Sequence, residues 1–270
     1  MTLGVVLSPP ASELELAADA LWSLGAVAVE ERDGELWTSL GDDKPWVAAA
    51  IPTTWPYRFV EMDDAAADTW RQFAQPTRIS PNVVITPAWV SFEAAVGERV
   101  ITIEPGATFG MGDHPTTVLS LRVAEALVRD GDTVLDVGCG SGILAIAALM
   151  LGARRAVAID INPASVEVSR ANAQSNGVAD RLDVSNAPLA EIAAARPADF
   201  DVIFANILAP ALIELSDDLK GCLKPVGHLV ISGILATNYD HVLEALLPLD
   251  VVAIATMDVW AAVTLQWPSS

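Results

Sequence analysis

Residues 133–152 read TVLDVGCGSGILAIAALMLG, which is a run of buried-strand residues, a glycine-rich turn and an apolar helix. The same alternation of strand and helix patterns continues through RAVAID (155–160), DVIFAN (201–206) and GHLVISGI (227–234). The last segments, DVVAIATMDVW and AAVTLQW (250–267), are typical of an antiparallel pair. Strands that alternate with helices favour an α/β fold, with a mostly parallel sheet covered on both faces.

The first 75 residues follow a different pattern. A short strand, GVVL (4–7), precedes a helix that ends near Leu24, and three strand patterns follow: AVAVEE (26–31), ELWTSL (35–40) and WVAAAI (46–51). We therefore predict a small α+β domain over 1–60. A linker helix over 61–75 is stopped by Pro76, and a larger α/β domain covers 76–270.

The net charge of the chain limits the classes of partner that it can bind. The chain has 35 Asp and Glu against 15 Lys and Arg, a formal net charge of −20, and residues 1–75 hold 13 of the acids but only 4 of the bases. Such a surface repels nucleic acid and anionic membranes. The excess acid either keeps the protein soluble or attracts a basic partner.

Three absent features, a secretory signal, a membrane-spanning run and metal-type cysteine spacing, bear on the compartment and on metal binding. The start, MTLGVVLSPP, has no basic segment of the secretory kind, and the longest apolar run, Ile143–Leu151, is too short to span a bilayer. Cys139 and Cys222 have no metal-type spacing. We expect a cytoplasmic protein that binds no metal.

The spacing of the glycine loop indicates its ligand. A dinucleotide loop would have a glycine three residues after Gly140, where Ile143 stands. The form Asp136-x-Gly138-x-Gly140-x-Gly142 instead resembles the S-adenosylmethionine loop of class I methyltransferases, so Gly138 and Gly140 are candidate cofactor-binding residues.

Two carboxylates accompany this loop. Asp160 ends the next strand, 22 residues after Gly138, and its carboxylate can accept hydrogen bonds from both ribose hydroxyls. The alternative is a glycine-rich turn followed by an ordinary aspartate at a strand end. Asp136 either orders the loop or contacts the amino group of the methionine moiety.

A second concentration of unusual residues is EPGATFGMGDHPTT (104–117). Phe109, among glycines, could close over a cofactor. Thr116 and Thr117 can cap the next helix and offer hydroxyls to the methionine end of the cofactor. His114 is either a hydrogen-bonded loop residue or a catalytic one.

Asn206 closes the strand DVIFAN. Ligands of open α/β sheets lie beyond the carboxyl ends of the strands, so Asn206 is expected at the site. Its amide oxygen can accept a hydrogen bond from an amine and aim the amine's lone pair at a methyl group. The alternative is an asparagine that only forms a turn.

Four segments together, EPGATFGMGDHPTT (104–117), VLDVGCGSGILAIAALMLGA (134–153), ANILAPALIEL (205–215) and HLVISGIL (228–235), resemble the bacterial methyltransferases that modify large-subunit ribosomal protein eleven. The resemblance implies a class I catalytic domain, Rossmann-like, behind a small ferredoxin-like N-terminal domain. It also implies contact with S-adenosylmethionine through four residues: Thr117, Gly138, Asp160 and Asn206. The sequence departs from the family pattern at Met111, Asn162 and Val226, where the family usually has Thr, Asp and Gly.

The implied activity is transfer of methyl groups from S-adenosylmethionine to lysine side chains and to the N-terminal amine of the ribosomal protein, leaving S-adenosylhomocysteine. We expect Asn206 to be the catalytic residue. The substrate would be the free, basic protein, docked by the N-terminal domain of a monomeric enzyme. Alternatives are a lysine methyltransferase of another protein, such as the electron-transfer flavoprotein beta subunit, and a non-enzymatic regulator that binds the same cofactor.

Overall fold

A computed structural model describes residues 2–23, 28–39, 54–62, 74–104 and 112–268. The described residues up to Gln75 form one compact unit, and those from Pro76 onward form another. In these ranges no helix has both the length and the apolar character needed to cross a membrane.

The N-terminal unit is a four-stranded antiparallel sheet with a helix against it. Its elements are β1 (Thr2–Leu7), a 3₁₀ turn (Ala11–Glu13), α1 (Leu14–Ser23), β2 (Ala28–Arg32), β3 (Glu35–Ser39) and β4 (Tyr57–Met62). The strand order β2-β3-β1-β4 agrees with the ferredoxin-like expectation. Alternate residues of the sheet bury Val5, Leu7 and Leu36 together with Leu21 of α1.

The described residues at both ends of the predicted linker helix, 61–75, are not helical. Glu61 and Met62 belong to strand β4, and Ala74 and Gln75 are not helical, so a helix cannot extend over the whole of 61–75. Residues 63–73 and the predicted strand at 46–51 lie outside the described residues.

The C-terminal unit contains a small sheet and a large one. Its strands are β5 (Thr77–Arg78), β6 (Val83–Pro87), β7 (Arg99–Ile103), β8 (Thr133–Val137), β9 (Arg155–Ile159), β10 (Leu182–Ser185), β11 (Phe200–Asn206), β12 (Leu223–Leu235), β13 (Asp250–Met257) and β14 (Trp260–Gln266). Its helices are α2 (Pro115–Leu127), α3 (Ile143–Leu151), α4 (Pro163–Ser175), α5 (Leu189–Ala195), α6 (Ala209–Glu214), α7 (Ser216–Cys222) and α8 (Asp240–Ala245).

The large sheet has the order β10-β9-β8-β11-β12-β14-β13. The strands from β10 to β12 are parallel, and β14 is antiparallel to both of its neighbours. A hydrophobic cluster covers each face of this sheet. The predicted α/β class, with a mostly parallel sheet and an antiparallel pair at its end, is confirmed.

Local sequence explains the elements that lead to the site. Every residue of β8 is buried, as a strand covered on both faces requires. Gly142, in a left-handed conformation, caps α3, and seven of the nine residues of this helix are buried. The pattern of PALIELSDDLKGCL (210–223) predicts one helix, but the structure has two, α6 and α7, which are separated at Leu215.

Candidate active site

The glycine loop lies at the carboxyl end of β8 and is bonded to the end of β9. The backbone N–H groups of Gly138 and Cys139 both donate to the carbonyl of Ile159, at 2.9 and 3.1 Å, and Gly142 N–H donates to Cys139 O at 2.8 Å. Gly138, Gly140 and Gly142 have φ values of +73°, +52° and +80°. A residue with a side chain is strained in this left-handed region of φ, so the turn favours glycine at these positions.

Close approach is the second reason for glycine around the site. A Cβ at Gly138 would collide with Cγ2 of Ile207, and one at Gly142 would lie 2.9 Å from Ser169 Oγ. A Cβ at Gly233 of β12, where φ is +80°, would lie 2.7 Å from the carbonyl oxygen of Ile207. Ile207 is therefore closely confined: Gly138 lies against its side chain, and Gly233 lies against its backbone.

Asp160 places its carboxylate at the glycine loop. One oxygen accepts from the backbone N–H of Gly140 at 2.8 Å, and the other accepts from the N–H of Asn162 at 2.8 Å. Each carboxylate oxygen has a further lone pair for a hydroxyl donor. The carboxylate thus organises the loop and retains the capacity to bind ribose hydroxyls.

Asp136 lies underneath the loop. The residue is 1% exposed, and its carboxyl accepts from the backbone N–H of Ala145 in the first turn of α3 at 3.0 Å. Burial, more than the nearby charge of Asp160, raises the pKa of Asp136 to about 7. Of the two roles left open by the sequence, this geometry supports ordering of the loop.

The N-terminus of α2 contributes two buried threonines. His114 caps the helix: its Nδ1 accepts from the Thr116 backbone N–H at 3.4 Å and lies 2.8 Å from the Thr116 hydroxyl. Burial lowers the pKa of His114, which favours the neutral ring. Thr117 is 1% exposed, yet its hydroxyl has no hydrogen-bond partner in the described part of the chain.

Asn206 ends β11, with its Cα paired to Ser232 of β12. The residue is half-buried, and its amide makes no hydrogen bond to any residue that the structure describes. Its neighbour Ile207 is the residue confined by the two glycines, so the backbone that carries Asn206 is closely fixed.

The structure brings most of the predicted residues to one edge of the sheet. Asp136, Gly138, Gly140, Asp160 and Asn206 lie in or beside the ends of β8, β9 and β11, and α2, which carries Thr116 and Thr117, packs against β11, β12 and β14. Phe109 and Met111 lie outside the described residues. Burial raises the pKa of the Cys139 thiol, which keeps it protonated and favours a small loop residue over a nucleophile.

Sequence reasoning missed several residues around this edge. Gly233 and Ile207 were not singled out, although a glycine at the end of GHLVISGI is a signal of close backbone approach. Trp260 also had no signal: its ring centroid lies 5.4 Å from that of His114, and its buried indole N–H lacks a described partner.

The donor set fits a nucleoside cofactor with a polar tail and gives no indication of a metal. A carboxylate with spare lone pairs, a glycine cradle that side chains would fill and an orphaned buried hydroxyl surround the strand ends. Within the described ranges, no group of three or more His, Cys, Asp or Glu side chains could hold a metal ion.

Comparisons with known proteins point to one family. A family described as "Ribosomal protein L11 methyltransferase (PrmA)" matches residues 54–267. A protein of that name from Symbiobacterium thermophilum is 38% identical over 264 residues, which are 96% of this chain and 84% of the relative. One from Streptococcus pyogenes serotype M3 is 41% identical over 179 residues, 66% of this chain and 56% of the relative, so this second match spans about half of the streptococcal protein.

Among solved structures, the crystal structure of ribosomal protein L11 methylase from Lactobacillus delbrueckii subsp. bulgaricus superposes with a TM-score of 0.64 at 30% identity. The superposition covers 71% of this chain and 97% of that one.

Proposed function

Because the chain belongs to the ribosomal protein L11 methyltransferase family, we propose that it transfers methyl groups to lysine side chains and to the N-terminal amine of ribosomal protein L11. Its fold is that of class I methyltransferases, and its cofactor is S-adenosylmethionine. The observation that supports ribosomal protein L11 as the substrate is the extent of the 38% identity. It covers 96% of the chain and so includes the N-terminal unit. Similarity confined to the catalytic unit would support only the chemistry.

The proposed cofactor contacts use the groups that the site leaves available. Backbone groups of Gly138 and Gly140 would cradle the cofactor, the Asp160 carboxylate would accept from the ribose hydroxyls, and the Thr117 hydroxyl would bond the methionine end. When bound, S-adenosylmethionine supplies an electrophilic methyl group on a sulfonium and leaves as S-adenosylhomocysteine.

Asn206 is the proposed catalytic residue because its amide is half-buried at the strand end and has no described partner. The attacking amine must be neutral, which at pH 7 costs about 4–5 kcal/mol for lysine and about 1 kcal/mol for an α-amine. The Asn206 amide oxygen accepts from the neutral amine and aims its lone pair, while the displaced proton passes to water.

A matched pair of variants tests this role. Asn206→Ala should lower kcat by about 100-fold, the order of loss seen when one preorganised polar group is removed from an active site. The dissociation constant of the cofactor should change far less than kcat. The exposed Asn238 gives the control, and Asn238→Ala should leave both quantities unchanged. Full turnover in Asn206→Ala would contradict the assignment.

The excess of acidic residues supports electrostatic recognition of a basic substrate. Substitutions that neutralise exposed acidic side chains test this recognition. Glu31 and Asp33 are exposed in the N-terminal unit, and Asp180 and Glu167 are exposed in the catalytic unit. Neutralising the first pair should raise KM for the ribosomal protein without changing kcat, whereas neutralising the second pair should have a smaller effect. The rate should also fall with salt. A flat salt profile would leave the charge with a role in solubility only.

The direct test is mass spectrometry of purified ribosomal protein L11 after incubation with the enzyme and S-adenosylmethionine. Methyl groups on lysine or N-terminal peptides are expected, and an unmodified protein would overturn the substrate assignment. No relative named above supports the electron-transfer flavoprotein subunit as substrate. We further propose that the enzyme acts as a monomer in the cytoplasm on the free ribosomal protein, because ribosomal RNA would repel its charge.

A further inference from the structure

Asn172 of α4 and Asn176, which caps the C-terminus of α4 one turn later, form hydrogen bonds with the edge of β7 and the residue that follows it, as a neighbouring strand would. The Asn176 amide accepts from Thr102 N–H at 2.9 Å and donates to Thr102 O at 2.7 Å. The Asn172 amide accepts from Glu104 N–H at 2.9 Å and donates to Glu104 O at 2.9 Å. The spacings match, because residues i and i+4 of a helix and residues i and i+2 of a strand each share a face.

The two asparagines differ in their third hydrogen bond. Asn176 Nδ2 donates to the carbonyl of Asn172 within the helix, at 2.8 Å. Asn172 Nδ2 instead donates to the carbonyl of Ser141, in the glycine loop, at 2.9 Å. Asn172 is 2% exposed and Ser141 is fully buried, so water does not compete for this bond. Of the pair, only Asn172 joins the end of the segment that carries β7, at Glu104, to the cofactor loop.

A neighbouring residue of α4 acts on the same loop. The Ser169 hydroxyl donates to the carbonyl of Gly140 at 2.9 Å. The carbonyls of Gly140 and Ser141 are thus both held by α4, and in a planar trans peptide a fixed carbonyl also fixes the direction of the following N–H. The orientation of the loop therefore depends on these two side chains.

We propose that Asn172 is a positioning residue for cofactor binding, which holds the glycine loop in its binding geometry by tying Ser141 to Glu104. Glu104 takes part in this positioning because the side-chain amide of Asn172 forms hydrogen bonds with the backbones of both Glu104 and Ser141. This inference rests on the proposed function only in that the loop binds S-adenosylmethionine.

Asn172→Ala and Asn176→Ala form a matched pair of variants. Each removes two hydrogen bonds to a backbone, that of Glu104 or that of Thr102, and should lower the unfolding temperature by a similar amount. Only Asn172→Ala also removes the hydrogen bond to Ser141 O, and it should weaken binding of S-adenosylhomocysteine by about tenfold. Asn176→Ala should bind within about twofold of the unchanged protein, since its loop bonds are intact. At saturating cofactor, kcat of Asn172→Ala should largely recover, because the reacting groups are not altered.

Hydrogen exchange supplies a readout that general destabilisation would not move. In the unchanged protein, S-adenosylhomocysteine should slow exchange of the Glu104 amide, whose acceptor is Asn172, more than that of the Thr102 amide. In Asn172→Ala this difference should disappear. Should that variant not fold, Asn172→Ser must show the same ranking of affinities against Asn176→Ala.

Equal affinities of the two alanine variants would overturn the inference while the proposed function stands. If the unchanged protein binds neither S-adenosylmethionine nor S-adenosylhomocysteine in calorimetry, the proposed function itself fails.

Discussion

Replacing Gly233 by alanine tests how closely the strand ends must be fixed. A Cβ at this position would lie 2.7 Å from Ile207 O, 3.0 Å from its carbonyl carbon and 3.2 Å from its nitrogen. Ordinary contact begins near 3.4 Å, so the Ile207 backbone or β12 must move by about 0.7 Å. The residue next to Ile207 is Asn206, and the displacement reaches the proposed catalytic amide.

Two costs are expected for Gly233→Ala. The left-handed φ of +80° costs about 1–2 kcal/mol of unfolding free energy for a residue with a side chain. The overlap with Ile207 adds about 1–3 kcal/mol, the usual range for overpacking. Because a misplacement approaching 1 Å can cost up to about 100-fold in rate, kcat should fall by about 10- to 100-fold.

Gly177→Ala provides the control within the same unit. Gly177 also has a positive φ, +67°, but nothing lies within 4 Å of its Cβ position, so only the conformational cost applies. Urea unfolding and methylation of ribosomal protein L11 should be measured on both variants. If Gly233→Ala loses no more stability than Gly177→Ala and keeps its kcat, then Ile207 is not confined as described.

Three further changes follow from the same contacts. Gly138→Ala should weaken cofactor binding in calorimetry because its Cβ meets Ile207 Cγ2, and adding Ile207→Ala should restore part of the affinity; no recovery would refute the contact. The pKa of Asp136 is raised to about 7 in the folded protein, so the native state binds a proton that the unfolded chain has lost. Stability should therefore fall as pH rises from about 4 to 7, and in Asp136→Asn unfolding measured against pH should lose this slope. Hydrogen bonds from Arg58 lower the pKa of Glu35 to about 2, so stability present above pH 4.5 should be lost as pH falls toward 2; an unchanged acid profile in Glu35→Gln would contradict the pairing.

Local pattern was sufficient where neighbours in the chain determine the structure. The stretch 133–152 predicted β8, the turn and α3 within two residues, because burial, glycine and apolar length all act locally. β4, YRFVEM, was missed because apolar and polar residues alternate over its first three positions only, too short a run to indicate a strand. The break between α6 and α7 at Leu215 was missed because neither glycine nor proline marks it.

The residues of the candidate site likewise fall into those that local sequence specifies and those that depend on distant contacts. Gly138, Asp160 and Asn206 could be found because each stands at the end of a recognisable strand. Asn172 could not, because its partners Glu104 and Ser141 lie 68 and 31 residues away, and no local pattern specifies which backbone an amide will meet. The burial of Asp136 likewise depends on how α3 packs over β8.

The confinement of Ile207 between Gly138 and Gly233 has a consequence for how this family can vary. Cγ2 meets Gly138, so a smaller side chain at position 207 would remove one of the two obstacles to a larger residue at 138, and substitutions at these sites should appear together in relatives. Gly233 meets the carbonyl and nitrogen of position 207, which every amino acid has. No substitution at position 207 relieves that contact. Position 233 should therefore remain glycine even in relatives in which position 138 is no longer glycine.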